Sequence, residues 1–395
     1  MQPFEDVDVL DLTQSIAGPV CTQMLAALGA NVVKVEPPEG DAFRDLSQGA
    51  MFAAFNHGPK RSLSVDLKSE EGSALVRDLV ERADVVVESF RPGVLERFDL
   101  DYESAAAANE RVVYCSITGF GQEGPYSDYP AYDPVVQAMS GLMSVIGYSD
   151  RPPARIGASV IDCSTGANAA FMTSAAIRER DRTGSGEHID ISLFDVAVSW
   201  LSYWIGNYSG TGEVPTRAGS GFHGIAPNDI YYAADEEPFY LCAVNDRLYE
   251  RLCRAIDHEE LLADDRFVDN DARWEHREAL REELESTFRA YDRDELVELL
   301  ADSGVPAGPQ QDITELVADE HVTERDLLTG VRNLILDEEV TVSRLPVRTV
   351  DWVPELDEEP PETGEHSRAV LREFGYEEAE IDDLVASESV YADPD

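Results

Sequence analysis

One aspartate, Asp162, lies between two predicted elements, at a position where a carboxylate could do chemistry. The β-branched run 156–161 predicts a strand, and the alanine-rich run 166–177 predicts a helix with small apolar residues at helical spacing. Asp162 therefore falls at or near the N-cap of that helix. Its carboxylate could simply satisfy the free N–H groups of the first turn. It could also be held ionised by the helix dipole, in a cleft at the carboxyl end of a strand, and act as a nucleophile.

Cations that could hold a phosphate-bearing ligand are concentrated in the first quarter of the chain. Only three lysines occur, all between residues 34 and 68, with several arginines near them. These cations are Lys34, Arg44, Lys60, Arg61, Lys68, Arg91 and Arg97. Phosphate groups are bound by direct pairing with such side chains or by their field. Chance clustering or a role in folding remains the alternative.

The motifs of several other chemistries are missing. The pattern G-x-G-x-x-G occurs at Gly119, Gly121 and Gly124, but Pro125 and the polar residues after it do not open a helix, so dinucleotide binding is not predicted. No P-loop, GxSxG or HExxH motif is present. The seven histidines are scattered and the five cysteines form no CxxC pair, so we predict no metal site and reduced cysteines.

The charge of the chain limits its partners and its environment. The 395 residues include 79 Asp and Glu against 31 Lys and Arg, a net charge of −48. Such a chain repels nucleic acid and anionic membranes, so neither is an expected partner. Apolar periodicity and 8% aromatic residues argue against disorder. We expect a halophilic protein with a carboxylate-covered surface and, since no signal segment or long apolar run is seen, a cytoplasmic one.

Strands and helices alternate in the first half of the chain. Predicted strands cover 7–12, 31–35, 62–66, 84–88, 111–117 and 188–192, and predicted helices cover 19–28, 70–81 and 135–146. The opening strand, helix and strand form a βαβ unit, and the alternation after it is typical of a buried parallel sheet with helices on both faces. The predicted fold class is therefore α/β with a Rossmann-like large domain.

Changes in composition divide the chain into four parts. Residues 1–206 form the large Rossmann-like domain, and 207–228 read as a linker and covering loop rich in Gly, Pro and polar residues. Residues 229–325 combine a hairpin-like pair of strands with amphipathic helices and predict a smaller α+β domain. Residues 326–395 then return to the large domain.

Six long stretches in this order resemble the class III CoA-transferases, the family of formyl-CoA transferase and carnitine CoA-transferase. They are VLDLTQSIAGPVCTQMLAALGANVVKVEPPEGD, FNHGPKRSLSVDLKSEEG, DVVVESFRPG, YCSITGFGQEGPYSDYPAYDPVVQAMSG, GASVIDCSTG and GEHSRAVLREFGY. The resemblance covers nearly the whole chain. It implies a homodimer of interlocked rings that uses coenzyme A thioesters and small carboxylic acids as substrates, with no permanently bound cofactor.

The resemblance also assigns roles to residues. Asp162 occupies the place of the family's nucleophile, and the segment Ala218 to Gly224 resembles the loop that shields the intermediate. The positions that match the family's coenzyme A site are Ile16, Ala17, Val65, Asp66, Leu67, Lys68, Ser89, Phe90, Arg91, Arg97, Ala131, Tyr132 and Asp133. Two departures, Ile16 for a glutamine and Pro37 for an arginine, count against formate and oxalate as substrates.

Two other functions stay open at this point. An acyl-CoA racemase of the same fold uses the aspartate as a base with a histidine partner, and this chain has Tyr132 where that histidine stands. A non-catalytic coenzyme A-binding protein would not need Asp162. The transferase interpretation is favoured, with an aspartyl anhydride and an aspartyl-CoA thioester as intermediates.

The substrates follow only from the resemblance. The acidic composition suggests a haloarchaeal member, and such members include succinyl-CoA:mesaconate CoA-transferases. We therefore expect succinyl-CoA as donor and mesaconate as acceptor, with oxalate, carnitine-like and aromatic acids still open. A dicarboxylate acceptor needs a cation for its distal carboxylate. The candidates are Arg44, Arg61, Arg217 and His223.

Overall fold

The computed structural model describes residues 2–349, 351–354, 356 and 358–392. Its strands are β1 Asp8–Leu12, β2 Asn31–Glu36, β3 Lys60–Val65, β4 Val85–Glu88, β5 Val113–Thr118, β6 Glu187–Ser192, β7 Asn228–Tyr232, β8 Pro238–Cys242, β9 Ala307–Pro309, β10 Leu328–Asn333, β11 Glu338–Ser343 and β12 Val390–Tyr391. Its helices are α1 Ala17–Ala27, α2 Ala50–Asn56, α3 Glu70–Arg82, α4 Tyr102–Ala108, α5 Asp133–Met139, α6 Val160–Thr183, α7 Leu193–Trp200, α8 Ser202–Thr211, α9 Asp246–Ala255, α10 Asn270–Glu275, α11 Arg277–Phe288, α12 Arg293–Asp302, α13 Ile313–Ala318, α14 Glu320–Glu324, α15 Ser367–Glu373 and α16 Glu378–Ala386. None of these described helices has both the length and the apolar composition needed to cross a membrane.

The chain separates into two compact units. The larger unit contains the residues up to Ser140, Ile156–Ser202 and those from His321 onwards, and the smaller unit contains Gly141–Arg155 and Tyr203–Glu320. The predicted boundaries were wrong for 141–155, which they placed in the large domain. This segment belongs to the smaller unit because Gly147 pairs with Gly219 and Arg217 donates hydrogen bonds to carbonyl oxygens of Tyr148, Ser149 and Arg151.

A seven-stranded sheet organises the larger unit, and its strand order is β12-β3-β2-β1-β4-β5-β6. All neighbours are parallel except β12, which pairs antiparallel with β3. The order 3-2-1-4-5-6 is that of the Rossmann fold, so the α/β prediction is confirmed. The order reverses between β1 and β4, and in such sheets this point opens a crevice at the carboxyl ends of the strands.

The central strands are valine-rich because helices cover both faces of the sheet. On one face, Leu10, Val33 and Val86 pack in a core with Leu75 and Leu79 of α3. The predicted helix 70–81 matches α3, whose N-cap Ser69 accepts the N–H of Gly72. Helices α15 and α16 contribute Val370, Leu371 and Ile381 to the same core.

The smaller unit has its own core and its own sheet. Strands β7, β8 and β9 form an antiparallel sheet, in agreement with the predicted hairpin. Phe239 of this sheet packs against Phe288 of α11, with ring centroids 5.3 Å apart. The predicted loop 207–228 was only partly right, because α8 extends to Thr211.

The strand predicted for 156–161 was wrong. The segment forms no strand, and α6 begins at Val160 after the N-cap Ser159 and runs for 24 residues. Backbone N–H groups of this segment pair with side chains of α5 instead of a strand, since Ile156 donates to Gln137 Oε1 and Ile161 to Asp133 Oδ2. The helix predicted over 135–146 is also shorter, since α5 ends at Met139 and Gly141 takes a left-handed conformation.

Candidate active site

A cleft of about 310 Å³ opens in the larger unit at the carboxyl ends of β1, β4 and β5. This is the crevice that the reversal of strand order predicts. The cleft is lined by the turns after these three strands, by the loop before α5 and by the start of α6. Its lining residues include Gln14, Ser15, Ala17, Gly18, Phe43, Ser89, Phe90, Arg91, Thr118, Gly119, Tyr129, Ala131, Tyr132, Asp162 and Leu193.

Asp162 is the acid among these lining residues. It is in the first turn of α6 rather than at its N-cap, and only 8% of the residue is exposed. No described residue donates a hydrogen bond to its carboxylate. Burial, followed by the negative charge of Asp133, raises the pKa of Asp162 to about 7. Burial and the neighbouring acid thus oppose ionisation of Asp162, whereas the helix dipole expected from the sequence would favour it.

The side chain of Asp133 holds the start of α6 in place through hydrogen bonds. Its Oδ2 accepts the backbone N–H of Ile161 at 2.8 Å and that of Asp162 at 3.3 Å. Its Oδ1 accepts from Gln137 Nε2, and Gln137 Oε1 accepts the N–H of Ile156. A residue of another helix thus caps α6, whose own N-cap Ser159 makes no capping hydrogen bond through its side chain.

Close helix packing brings Asp162 to the cleft. A Cβ at Gly166 of α6 would lie 2.4 Å from the carbonyl oxygen of Ala17 and 2.7 Å from Cβ of Val20. Only glycine fits at this contact, so α6 lies directly against the first turn of α1. Since Ala17 lines the same cleft, this contact sets the distance between the acid and the turn after β1.

The turns around the cleft are tied to one another. Ser89 Oγ accepts the N–H of Gln14 at 3.0 Å, which joins the turn after β4 to the turn after β1. Glu88 accepts the N–H of Phe90 at 2.7 Å. On the opposite side, a Cβ at Gly119 would lie 2.3 Å from Cβ of Ala131, so the loop before α5 rests on the end of β5.

The structure brings seven of the residues assigned by resemblance into one cleft and leaves seven outside its lining. Those that line it are Ala17, Ser89, Phe90, Arg91, Ala131, Tyr132 and Asp162. Lys68 and Arg97 follow β3 and β4 at the same edge of the sheet, and Asp66 and Leu67 precede Lys68. Three of the assigned contacts need correction, because the side chains of Ile16, Val65 and Asp133 are buried in the protein.

The clustered lysines have two different environments. Lys34 is fully buried, forms an ion pair with Asp41 at 2.9 Å and donates to the carbonyl of Thr13. Lys60 is also buried, 3.7 Å from Asp11, and donates to the carbonyl of Pro19. Neither can reach a phosphate, so that expectation was wrong for both. They neutralise buried acids beneath the turn after β1.

Three other cations remain open to an anionic ligand. Lys68, Arg91 and Arg97 are exposed, and across the described residues none of them forms an ion pair. All three follow the carboxyl ends of β3 and β4, the edge where the cleft opens.

The candidates for holding a distal carboxylate are dispersed. Arg44 is held by Glu36 and by the carbonyl of Pro361, and Arg61 by Glu373 and Asn31. Arg217 and His223 line a cavity of about 600 Å³ within the smaller unit, together with residues of the predicted covering loop. Within the larger unit, Arg91 is the cation that lines the cleft of Asp162.

Comparison with known proteins identifies the family. The sequence model that describes CoA-transferase family III matches residues 4–367. The chain belongs to CoA-transferase family III. The expectation that it is a CoA-transferase is thereby confirmed.

Curated relatives and a solved structure agree with this assignment across almost the whole chain. The succinyl-CoA:mesaconate CoA-transferase of Haloarcula hispanica is 37% identical over 95% of this chain and 97% of its own length. The acetyl-CoA:oxalate CoA-transferase of Acetobacter aceti is 38% identical over 82% of this chain and 85% of its own. The crystal structure of a CAIB/BAIF family protein from Brucella suis has a TM-score of 0.84 and 37% identity, covering 94% of this chain and 99% of that chain.

Several residues of this family III site were missed by sequence reasoning. Gln14, Ser15, Phe43 and Thr118 line the cleft but belong to no chemical motif. Ser15 could have been suspected because it lies in the turn between β1 and α1. In the structure it takes a left-handed conformation with φ 71°. The capping role of Asp133 leaves no signal, since 29 residues separate it from Asp162.

Proposed function

We propose that this family III enzyme transfers coenzyme A between two carboxylic acids through covalent intermediates on Asp162. The observation that carries the proposal is the position of Asp162, whose carboxylate faces a cleft at the β1/β4 crevice without a hydrogen bond from any described residue. A carboxylate without protein partners is free to attack a carbonyl carbon. The exposed cations at the same edge of the sheet suit the phosphates of coenzyme A.

Transfer proceeds in two matched halves. In the first, the Asp162 carboxylate attacks the thioester carbonyl of the donor, the C–S bond breaks, and coenzyme A leaves as thiolate from a mixed anhydride. The thiolate then attacks the aspartyl carbonyl, which releases the donor acid as carboxylate and leaves an aspartyl-CoA thioester. In the second half, the acceptor carboxylate attacks this thioester, the C–S bond breaks, and coenzyme A leaves as thiolate from a second mixed anhydride. The thiolate then attacks the acceptor carbonyl of this anhydride. Asp162 leaves as carboxylate, and no oxidant or net proton is required.

The partial burial of Asp162 suits this chemistry. Both the anhydride and the aspartyl-CoA thioester are destroyed by water, so a site with little solvent protects them. Desolvation also makes the carboxylate a stronger nucleophile than an exposed one, at the expense of a raised pKa. The assignment of the loop Ala218 to Gly224 as a shielding loop stays a prediction from the family resemblance.

The proposed donor is succinyl-CoA and the proposed acceptor a dicarboxylic acid, with mesaconate as first choice. The Haloarcula hispanica relative is named for this pair, and the Acetobacter aceti relative for oxalate, a shorter dicarboxylate. Racemisation is not favoured, since no histidine lines the cleft in the part of the chain that the structure describes, and Tyr132 stands at its mouth.

A homodimer is also part of the proposal. On α6 of the larger unit, Phe171 is 69% exposed and Met172 44% exposed. Helix α8 has no buried residue, although Tyr203, Ile205 and Tyr208 are large apolar side chains. Exposed apolar side chains grouped on helices mark protein interfaces, and a second copy of the chain is the occupant that the family resemblance implies. Light scattering in molar KCl is expected to give twice the mass of 43.6 kDa.

The test of the function is product identification. The enzyme is incubated in molar KCl with succinyl-CoA and a panel of acids that includes mesaconate, oxalate and glutarate, and new acyl-CoA species are identified by mass spectrometry. Asp162→Asn is expected to lower transfer by about 10⁴-fold or more while coenzyme A still binds. Asp195→Asn, the same change in the first turn of α7, is the control and is expected to retain transfer.

Two results would contradict the proposal. Transfer retained by Asp162→Asn would exclude the nucleophile assignment. Absence of any new thioester, combined with exchange of an α-hydrogen of a 2-methylacyl-CoA with deuterated water, would favour the racemase interpretation.

A further inference from the structure

A buried carboxyl group lies directly beneath the turn Ser89–Arg91 that lines the cleft. Glu88, the last residue of β4, is only 4% exposed. Across the sheet it is paired with Ser116 of β5, and Ser116 is paired with Asp190 of β6. Paired residues of neighbouring strands present their side chains to the same face of a sheet. These three polar side chains therefore form a row across β4, β5 and β6.

Polar contacts connect this row to the turn. Glu88 accepts the backbone N–H of Phe90 at 2.7 Å, and Ser116, as a hydrogen-bond donor, lowers the pKa of the Glu88 carboxyl. Ser116 Oγ lies 3.0 Å from Nε2 of His188. The His188 ring stacks on Tyr102 at 4.4 Å between centroids, which fixes the position of the ring.

Acidic groups dominate the surroundings of Glu88. Glu88 borders a second cavity, of about 430 Å³, whose lining does not include Asp162. Asp190 and His188 face it from β6, and Tyr114 faces it from β5. The other charged or titratable groups around that cavity are Arg91, Glu96, Asp101, Tyr102, Glu103 and Glu123. Arg91 and His188 are its only possible cations among the described lining residues.

We propose that Glu88 is a positioning residue for the binding of coenzyme A. It acts through the turn Ser89–Arg91 and through the hydrogen-bond chain Glu88–Ser116–His188. This inference rests on the proposed function, in which that turn contacts coenzyme A. Glu88 itself does not line the cleft. It acts by holding the N–H of Phe90, between Ser89, which is tied to Gln14, and Arg91, the cation of the cleft.

The proposed hydrogen-bond chain Glu88–Ser116–His188 has two states, which differ in the direction of its hydrogen bonds. With Glu88 ionised, the Ser116 hydroxyl donates to the carboxylate and Ser116 Oγ accepts from His188 Nε2–H. With Glu88 protonated, its own O–H donates to Ser116 Oγ, and the Ser116 hydroxyl donates to a His188 that carries its proton on Nδ1. Burial raises the pKa of Glu88 to about 7, so both states are populated near neutral pH.

The ionised state holds the turn more firmly. A hydrogen bond from an amide to a carboxylate is stronger than one to a neutral carboxyl group. The turn is therefore best ordered above pH 7, where Glu88 is ionised, and loosens as the pH falls through 7. Coenzyme A affinity is expected to follow the same direction.

The experiment measures binding without chemistry. In an Asp162→Asn background, the dissociation constant of free coenzyme A is measured by calorimetry between pH 6 and 8.5 in molar KCl. Adding Glu88→Gln, which keeps the shape but never ionises, is expected to weaken binding at pH 8 by about tenfold and to have little effect at pH 6. Glu96→Gln, an exposed carboxyl at the same cavity, is the control and is expected to bind as the background does. Ionisation of the phosphates of coenzyme A is common to all variants and cancels in the comparison.

A second variant tests the hydrogen-bond chain Glu88–Ser116–His188. Ser116→Ala removes a donor that stabilises the ionised carboxylate, so the midpoint of the pH dependence is expected to move to higher pH. A merely structural role of Ser116 would weaken binding equally at every pH.

Failure of this inference is distinguishable from failure of the proposed function. If Glu88→Gln binds with the same pH dependence as the background, or binds more tightly, Glu88 is not a positioning residue. If no variant binds coenzyme A, including the Asp162→Asn background, the proposed function itself is wrong. Circular dichroism of each variant at both pH extremes identifies any that is unfolded, and in that case the midpoint shift of Ser116→Ala decides.

Discussion

The carboxylate of Asp133 accepts a hydrogen bond from the backbone N–H of Asp162, at 3.3 Å. Two acids thus meet at the start of α6, one buried beneath the helix and one open to the cleft. The first positions the backbone of the second and, through its charge, also opposes its ionisation. The same contact therefore bears on both the geometry and the pH range of the reaction.

Activity is expected to rise with pH and to be half-maximal at about pH 7, because only the ionised form of Asp162 is a nucleophile. Asp133→Asn keeps an acceptor for the two N–H groups but removes the charge. The midpoint of the rise of kcat/KM with pH should then move to lower pH. Asp195→Asn, which removes a charge from the first turn of α7, should leave the midpoint in place. An unchanged midpoint in Asp133→Asn would mean that burial alone raises the pKa of Asp162.

Asp11 is expected to be essential for stability rather than for chemistry. It is fully buried 3.7 Å from Lys60, and it accepts hydrogen bonds from Thr13 and Thr22. Asp11→Asn would leave two buried lysines without this countercharge, which costs about 3–5 kcal/mol of unfolding free energy. Denaturant unfolding in molar KCl measures the loss. Asp8→Asn in the same strand, where the side chain is only partly buried, should cost less than about 1 kcal/mol.

Gly166→Ala is expected to separate α6 from α1. The added methyl group would stand 2.4 Å from the Ala17 carbonyl oxygen, a backbone atom that cannot rotate away. Overpacking of this kind costs about 1–3 kcal/mol, and it should lower transfer because Ala17 and Asp162 both line the cleft. Gly206→Ala, in open space on α8, is the matched helical control and should not destabilise the fold. Wild-type stability and activity in Gly166→Ala would show that the two helices tolerate a wider spacing.

Stability is expected to increase strongly with salt. A net charge of −48 on 395 residues repels itself, and salt screens exposed charges beyond about 10 Å at 0.1 M and about 3 Å at 1 M. The melting temperature should therefore rise by at least about 10 °C between dilute buffer and 2 M KCl. Equal melting temperatures in the two buffers would contradict the halophilic interpretation.

The sheet and the candidate nucleophile could both be predicted from the amino-acid sequence. Valine-rich runs such as 31–36 indicate buried strands, and their alternation with helices is satisfied by a parallel α/β sheet. Long ordered motifs were enough to indicate the family. The acid Asp162 could be singled out because it begins an alanine-rich helix.

The tertiary structure decided what the local pattern could not. Residues 156–161 are β-branched enough for a strand, but the N–H groups of Ile156 and Ile161 pair with side chains of α5 instead. Lys34 and Lys60 looked like ligands for phosphate, yet they face buried acids, since charge patterning along the chain does not tell which side chains are desolvated. The raised pKa of Asp162 depends on burial and on Asp133, 29 residues away in the chain. Such effects arise from distances between segments, and only the folded chain sets those distances.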